Sequence, residues 1–179
     1  MMILWINGAF GSGKTTTAEE LQRRIPGSFL YDPENVGYFI RTVFPANLLR
    51  SDFQDHKIWR EINVSLLGDL AREYPGTIIV PMTLVNPDYF EELVGQLRAQ
   101  GIEIRHFTLM AERETLLQRL SKRGDDADSW SAQQIDRCQA AFSQERFGEH
   151  IETDHLTTEE VIQRIIGRCG IAWQTKVLS

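Results

Sequence analysis

The sequence predicts a single α/β domain: a five-stranded parallel sheet with helices on both faces, making three layers. Three observations carry that reading. Short apolar runs alternate with amphipathic helical stretches along the whole chain, as strands joined by crossover helices do. One run, Thr77-Ile78-Ile79-Val80, is continuously apolar, as a strand covered on both sides should be. The first run, Met2-Ile3-Leu4-Trp5-Ile6, leads directly into Gly8-Ala9-Phe10-Gly11-Ser12-Gly13-Lys14-Thr15, a glycine-rich strand-to-helix turn.

After that turn, Ala18, Leu21 and Ile25 fall at helical spacing, and Pro26-Gly27 ends the helix. Ser28-Phe29-Leu30-Tyr31 reads as a short second strand. Asp32-Pro33-Glu34 follows, with Pro33 suited to the first position of a helix that runs towards Phe44 and stops at Pro45. Residues 46–56 show no period. Ile58, Ile62, Leu66 and Leu70 share one face of the next helix, which Pro75-Gly76 terminates before the strand at Thr77. Asn86 is placed to cap a helix that has Pro87 at its first position and Phe90, Leu93, Val94 and Leu97 as its apolar stripe, closed by Gly101. Ile102 to Met110 is the fourth strand, and Glu112 to Arg123 a helix with Leu116 and Leu120 facing inward. Gly124-Asp125-Asp126-Ala127-Asp128 has too few apolar residues to pack, and reads as a mobile surface loop. Ser131 with Gln134, and Thr157 with Glu160, have capping-box spacing, and Glu149 to Thr153 between them is a short fifth strand. Neither an internal repeat nor a low-complexity linker divides residues 1–179. Within this one domain, residues 33–73 form a substrate-binding helical region and residues 112–137 a lid.

The glycine-rich turn matches G-x-x-x-x-G-K-[ST], which makes a nucleoside triphosphate the expected ligand. Glycines lack Cβ, so the backbone can wrap a phosphate and aim successive N–H groups at its oxygens. Residues Gly8 to Thr16 would hold ATP. Lys14 reaches the β- and γ-phosphates, Thr15 offers its hydroxyl to Mg²⁺, and the following helix turns its positive end towards the anion. The strand end Ile79-Val80-Pro81-Met82-Thr83 carries no acidic residue, so the metal shell rests on Thr15, phosphate, water and Asp32. No Asn-Lys-x-Asp guanine-reading sequence occurs, which argues against a GTPase switch.

Composition narrows the classes further. With 19 Lys+Arg against 25 Asp+Glu, the net charge is −6, so there is no global basic footprint for nucleic acid. Two cysteines, Cys138 and Cys169, lie far apart without metal-ligand spacing, and read as free thiols in a reducing compartment. The first apolar run is short, lacks a basic leader and enters the loop at once, so the expectation is a cytoplasmic protein. The longest apolar stretch, Thr77 to Val85, is broken by Pro81 and too short to span a bilayer.

Three sets of residues beyond the loop bear on chemistry. Asp32, just past the second strand, stands where ligands bind in such sheets: it serves either as acceptor-hydroxyl base and Mg²⁺-water ligand or as a cap for the next helix. Arg119 and Arg123, four apart, share a helical face before the acidic loop and could deliver positive charge to a transferring phosphoryl group; Arg137 is a third candidate. Arg41, Trp59 and Arg60 lie in an aromatic and cationic stretch suited to a substrate pocket, arginine being the residue for bidentate contacts with phosphate or carboxylate.

The chain resembles the bacterial tunicamycin-resistance proteins, a kinase-like phosphate-loop family. The likeness runs through Trp5 to Thr15, Tyr31-Asp32-Pro33-Glu34, Ile79-Val80-Pro81-Met82-Thr83, His106-Phe107-Thr108-Leu109-Met110-Ala111 and Gln134-Ile135-Asp136-Arg137-Cys138. The resemblance implies an ATP-binding protein associated with resistance to a uridine-containing nucleoside antibiotic. It also places Asp32 where related antibiotic and sugar kinases hold a substrate-contacting carboxylate, and Arg119 with Arg123 where they carry lid arginines. One member of the family is associated with membranes through an extended C-terminal amphipathic segment, whereas here Trp173-Gln174-Thr175-Lys176-Val177-Leu178 is too short for one, which puts membrane association in doubt. Two functions fit: a kinase phosphorylating a hydroxyl of a nucleoside-like or sugar-containing small molecule, or a nucleotide-gated protein that sequesters the antibiotic unmodified.

Overall fold

The computed structural model describes residues 1–126 and 128–172; the segment 173–179, which includes the short C-terminal stretch weighed for membrane association, and Ala127 of the acidic loop lie outside the described residues. Five strands form one sheet in the order β2-β3-β1-β4-β5: β1 (Met2–Gly8), β2 (Phe29–Leu30), β3 (Thr77–Pro81), β4 (Ile104–Met110) and β5 (His150–Glu152). Every neighbouring pair is parallel. β1 is central, with Leu4 opposite Ile79 on one side and Arg105 on the other.

Alternation along the strands divides the core. Ile3 and Trp5 of β1, with Ile78 and Val80 of β3, enter one apolar cluster; Leu4, Ile6 and Ile79 enter the other. The second cluster is covered by α1 (Lys14–Arg24), through Ala18 and Leu21, and by α9 (Thr158–Cys169), through Val161, Ile162, Ile165 and Ile166. The first is covered by α2 (Glu34–Val43), α3 (Lys57–Glu73) and the helical stretch α4 (Pro87–Phe90) to α5 (Gln96–Ala99), joined by a π turn over Glu91–Gly95. On the same side lie α6 (Arg113–Lys122), α7 (Trp130–Gln133) and α8 (Ile135–Phe142). Both faces of β1 are therefore dry, which is why its run is apolar throughout.

The expected caps are formed with one exception. Asn86 accepts from the amides of Asp88 and Tyr89, and Thr157 with Glu160 makes the reciprocal box. The remaining box is displaced: Ser129, not Ser131, caps α7 by accepting from the Ala132 amide, because the helix starts at Trp130. Residues 46–56, aperiodic in sequence, contain two short 3₁₀ turns, Ala46–Leu48 and Phe53–Asp55. Among the described residues no helix is long and apolar enough to cross a membrane.

Candidate nucleotide-binding site

The loop after β1 is pinned before it turns. Asn7 is fully buried. Its Oδ1 accepts from the amides of Gly8 and Leu84, at 3.0 and 2.9 Å, and its Nδ2 donates to the Leu84 carbonyl at 2.9 Å. The Thr83 hydroxyl donates to the Gly8 carbonyl at 2.7 Å. Asn7 and Thr83 thus bind the carboxyl end of β1 to the segment after β3. At Gly11, φ is +83° and a Cβ would lie 2.8 Å from the Leu116 carbonyl, so glycine lets the loop sit directly on α6.

α1 then opens on Gly13, which has no side chain to cap it, and its first turn holds no acidic residue. Its leading amides are left to an external anion, with the helix dipole behind them. These amides border a cavity of about 390 Å³ whose walls include Lys14, Thr15, Thr16, Arg119, Arg123 and Thr153. Ser12, in the same loop, has a buried hydroxyl with no hydrogen-bond partner among the described residues. This donor set fits a polyphosphate, and the Thr15 hydroxyl is an oxygen of the kind that a phosphate-bound Mg²⁺ would take up.

Lys14 is the central cation. Its Nζ rests 5.0 Å from the centroid of the Phe10 ring, which packs edge-on against Trp130 at the start of α7. Burial lowers its pKa from 10.5 to about 8, opposed most strongly by the Glu34 carboxylate and less by Asp32, while Arg123 adds to the lowering. A pH dependence follows. In the free protein Lys14 loses its proton above about pH 8, whereas bound phosphates favour the ammonium, so binding takes up a proton there and ATP affinity falls as pH rises. The expected slope approaches one proton per ATP, roughly tenfold in affinity per pH unit, read by titration calorimetry in buffers of different ionisation enthalpy. The same shift has the opposite effect on the empty fold. Between about pH 8 and 10.5 the unfolded chain binds more protons at Lys14 than the folded one, so this group's destabilising contribution fades as pH rises.

Asp32 follows β2 and is half-buried. Its Oδ1 accepts from the Glu34 amide at 2.9 Å, so it caps α2 while its charge reaches Lys14. Glu34 is the residue that sequence reasoning missed. It faces Lys14 more strongly than Asp32 does, and its Oε2 accepts from the Tyr38 hydroxyl at 3.1 Å. The spacing Asp32-Pro33-Glu34 was the available signal, since both carboxylates leave the end of one strand. Thr153 and Thr157, on the cavity wall, were missed as well. They follow β5, at the same carboxyl edge of the sheet.

Arg119 and Arg123 both reach the cavity around the loop. Arg123 is exposed and pairs with Asp125 at 3.5 Å; Arg137 contacts Gln134 at 3.4 Å. The aromatic stretch is arranged differently from expectation. Trp59 is fully buried and its indole N–H donates to the Pro33 carbonyl at 3.0 Å, so it supports the turn bearing Asp32 and presents no surface to a ligand. Arg60 is buried too, with its guanidinium spent on Glu92, the Gln54 carbonyl and the Tyr89 ring. Long apolar stems and aromatic rings in α3 are drawn to the core, and a buried guanidinium must find partners there. Arg41 alone of the three is exposed, lying over the Phe53 ring at 5.7 Å from its centroid. Cys138 lies buried near Lys14, and burial pushes its thiol up to about 11, which leaves it protonated and unreactive.

Fold and loop together define a nucleotide-binding protein of kinase-like phosphate-loop architecture. A sugar kinase from Janibacter sp. HTCC2649 has the same fold, with a TM-score of 0.67 and 20% identity over 96% of each chain. So does the APS kinase of Mycobacterium tuberculosis in complex with AMPPNP and APS, with a TM-score of 0.62 and 13% identity over 94% of this chain and 97% of that one. The chain belongs to the AAA domain family, whose profile matches residues 3–145, and to the tunicamycin-resistance proteins, being 30% identical to that of Deinococcus radiodurans over 98% of this chain and 99% of that one, with a TM-score of 0.83. No curated protein sequence matches it.

Proposed function

We propose that the protein is an ATP- and Mg²⁺-dependent kinase that transfers the γ-phosphate to a hydroxyl of a nucleoside-like or sugar-containing small molecule, tunicamycin being the leading candidate. The observation that carries this reading is that Lys14, on the phosphate loop, feels the charges of two carboxylates, Glu34 and Asp32, and of the Arg123 guanidinium. Phosphoryl transfer needs cations on the transferring group and a carboxylate at the acceptor oxygen. Lys14 and the loop amides hold the triphosphate and Thr15 the metal. Asp32 orients or deprotonates the hydroxyl, Arg119 and Arg123 meet charge on the nucleotide, and Arg41 contacts the acceptor. Magnesium supplies charge neutralisation on the phosphates. ATP places the reaction inside the cell, in the cytoplasm.

One observation favours the other reading, in which nucleotide orders a pocket that merely sequesters the antibiotic: an oxygen of Asp32 is already engaged with the Glu34 amide as the cap of α2. Mass spectrometry of tunicamycin and a panel of uridine nucleosides, incubated with protein, Mg²⁺ and ATP, separates the two. The expected result is a gain of one phosphoryl mass. Saturable binding of unchanged ligand across the panel overturns the kinase.

A further inference from the structure

Arg119 and Arg123 share a helix and a cavity, but they are held differently. Arg123 follows the end of α6, is exposed, and pairs with Asp125 at 3.5 Å. Arg119 is tied twice to a different element. Its Nη1 donates to the Thr153 hydroxyl at 3.0 Å and its Nη2 to the Thr153 carbonyl at 2.9 Å. The same hydroxyl donates onward to the Met110 carbonyl at 2.9 Å, and the Thr153 amide donates to that carbonyl at 2.8 Å. Thr153 is buried and rooted between the ends of β4 and β5, so the guanidinium is fixed to the sheet. A further tie runs alongside it: Asp154 Oδ1 accepts from the Glu112 amide at 2.9 Å, fastening the start of α6 to the same turn.

We propose that Thr153 is a positioning residue that locks Arg119 as a fixed wall of the nucleotide cavity, leaving Arg123 as the cation that moves with a lid. This divides the labour of the two arginines and rests on the nucleotide-binding half of the function proposed above. A guanidinium held by two hydrogen bonds is already in place before nucleotide arrives. It contributes equally to ground state and transition state, so its loss appears in nucleotide affinity and KM. A cation that arrives on closure appears in kcat. The lid is correspondingly shorter than residues 112–137. It begins at Arg123, beyond the part of α6 anchored by Asp154 and Thr153.

The test is ATP binding by titration calorimetry, together with steady-state kinetics on whichever acceptor is phosphorylated. Thr153→Val keeps the shape and removes the hydroxyl. It should raise the ATP Kd about tenfold, the size expected for a charge-assisted hydrogen bond, and leave kcat nearly unchanged. Thr153→Ser, which restores the hydroxyl, should return Kd to within about twofold of wild type. Arg123→Ala should lower kcat with little change in Kd. If Thr153→Val is unstable, Arg119→Lys substitutes for it: charge is kept, the paired geometry is lost, and Kd should again rise. A Thr153→Val or Arg119→Lys protein that binds ATP like wild type, or one whose defect falls on kcat with Kd unchanged, overturns the assignment. The binding arm needs no acceptor, so a protein that phosphorylates nothing but shows these affinity changes supports the lock and removes only the kinase reading.

Discussion

Lys14→Ala lowers ATP affinity by about ten- to a hundredfold, the loss expected when a charge-assisted contact to phosphate is removed from a partly desolvated site. The loop amides and the uncapped start of α1 still attract the anion, so binding is weakened and not abolished at high nucleotide concentration. Resistance in cells should fall under either functional reading, because both depend on bound nucleotide. The fold should survive and gain stability near neutral pH: burial makes the Lys14 ammonium unfavourable in the empty protein, as its lowered pKa shows. That combination, a more stable protein that binds ATP poorly, separates a functional lysine from a structural one. Thermal unfolding and nucleotide titration on the same sample check it. Unchanged affinity with full resistance removes the nucleotide site from this loop.

How much of this was legible in the sequence varies with what each residue answers to. The five strands, the two-sided core and the caps at Asn86 and Thr157 follow from local patterns, because a strand buried on both faces must be apolar and a helix end must satisfy its own amides. The phosphate loop was legible for the same reason: its glycines and Lys14 act within eight residues of one another. Trp59 and Arg60 were misplaced because spacing along a helix shows which residues share a face, but not what that face meets. The structure gives Arg60 partners at Gln54, Tyr89 and Glu92, one of them 32 residues away. Thr153 was invisible for a related reason. Nothing about an isolated threonine reveals that a strand end will bring it under an arginine 34 residues earlier. Glu34 was hidden by Asp32: one carboxylate sufficed for the expected chemistry, and an acidic residue in the first turn of α2 is accounted for by the helix dipole alone.

Those two carboxylates supply the largest expected effect on turnover. Asp32→Asn preserves the oxygen that accepts the Glu34 amide, so the α2 cap and the turn supported by Trp59 remain, while the negative charge is lost. If the protein is a kinase with Asp32 at the acceptor hydroxyl, kcat should fall by roughly 10²- to 10⁴-fold, the range typical of losing a general base, with ATP affinity little changed. Glu34→Gln behaves differently. Glu34 is the strongest charge holding the Lys14 pKa up, so its neutralisation should move the onset of the alkaline fall in ATP affinity to lower pH, an effect that Asp32→Asn shows more weakly. The pair therefore separates acceptor chemistry from nucleotide electrostatics. A large kcat loss in Asp32→Asn with a modest one in Glu34→Gln assigns the base to Asp32, and the reverse assigns it to Glu34. Under sequestration neither variant loses ligand binding beyond a few-fold, and both retain resistance at neutral pH. A stably folded Asp32→Asn protein with full turnover removes this carboxylate from the chemistry and leaves it as the cap of α2.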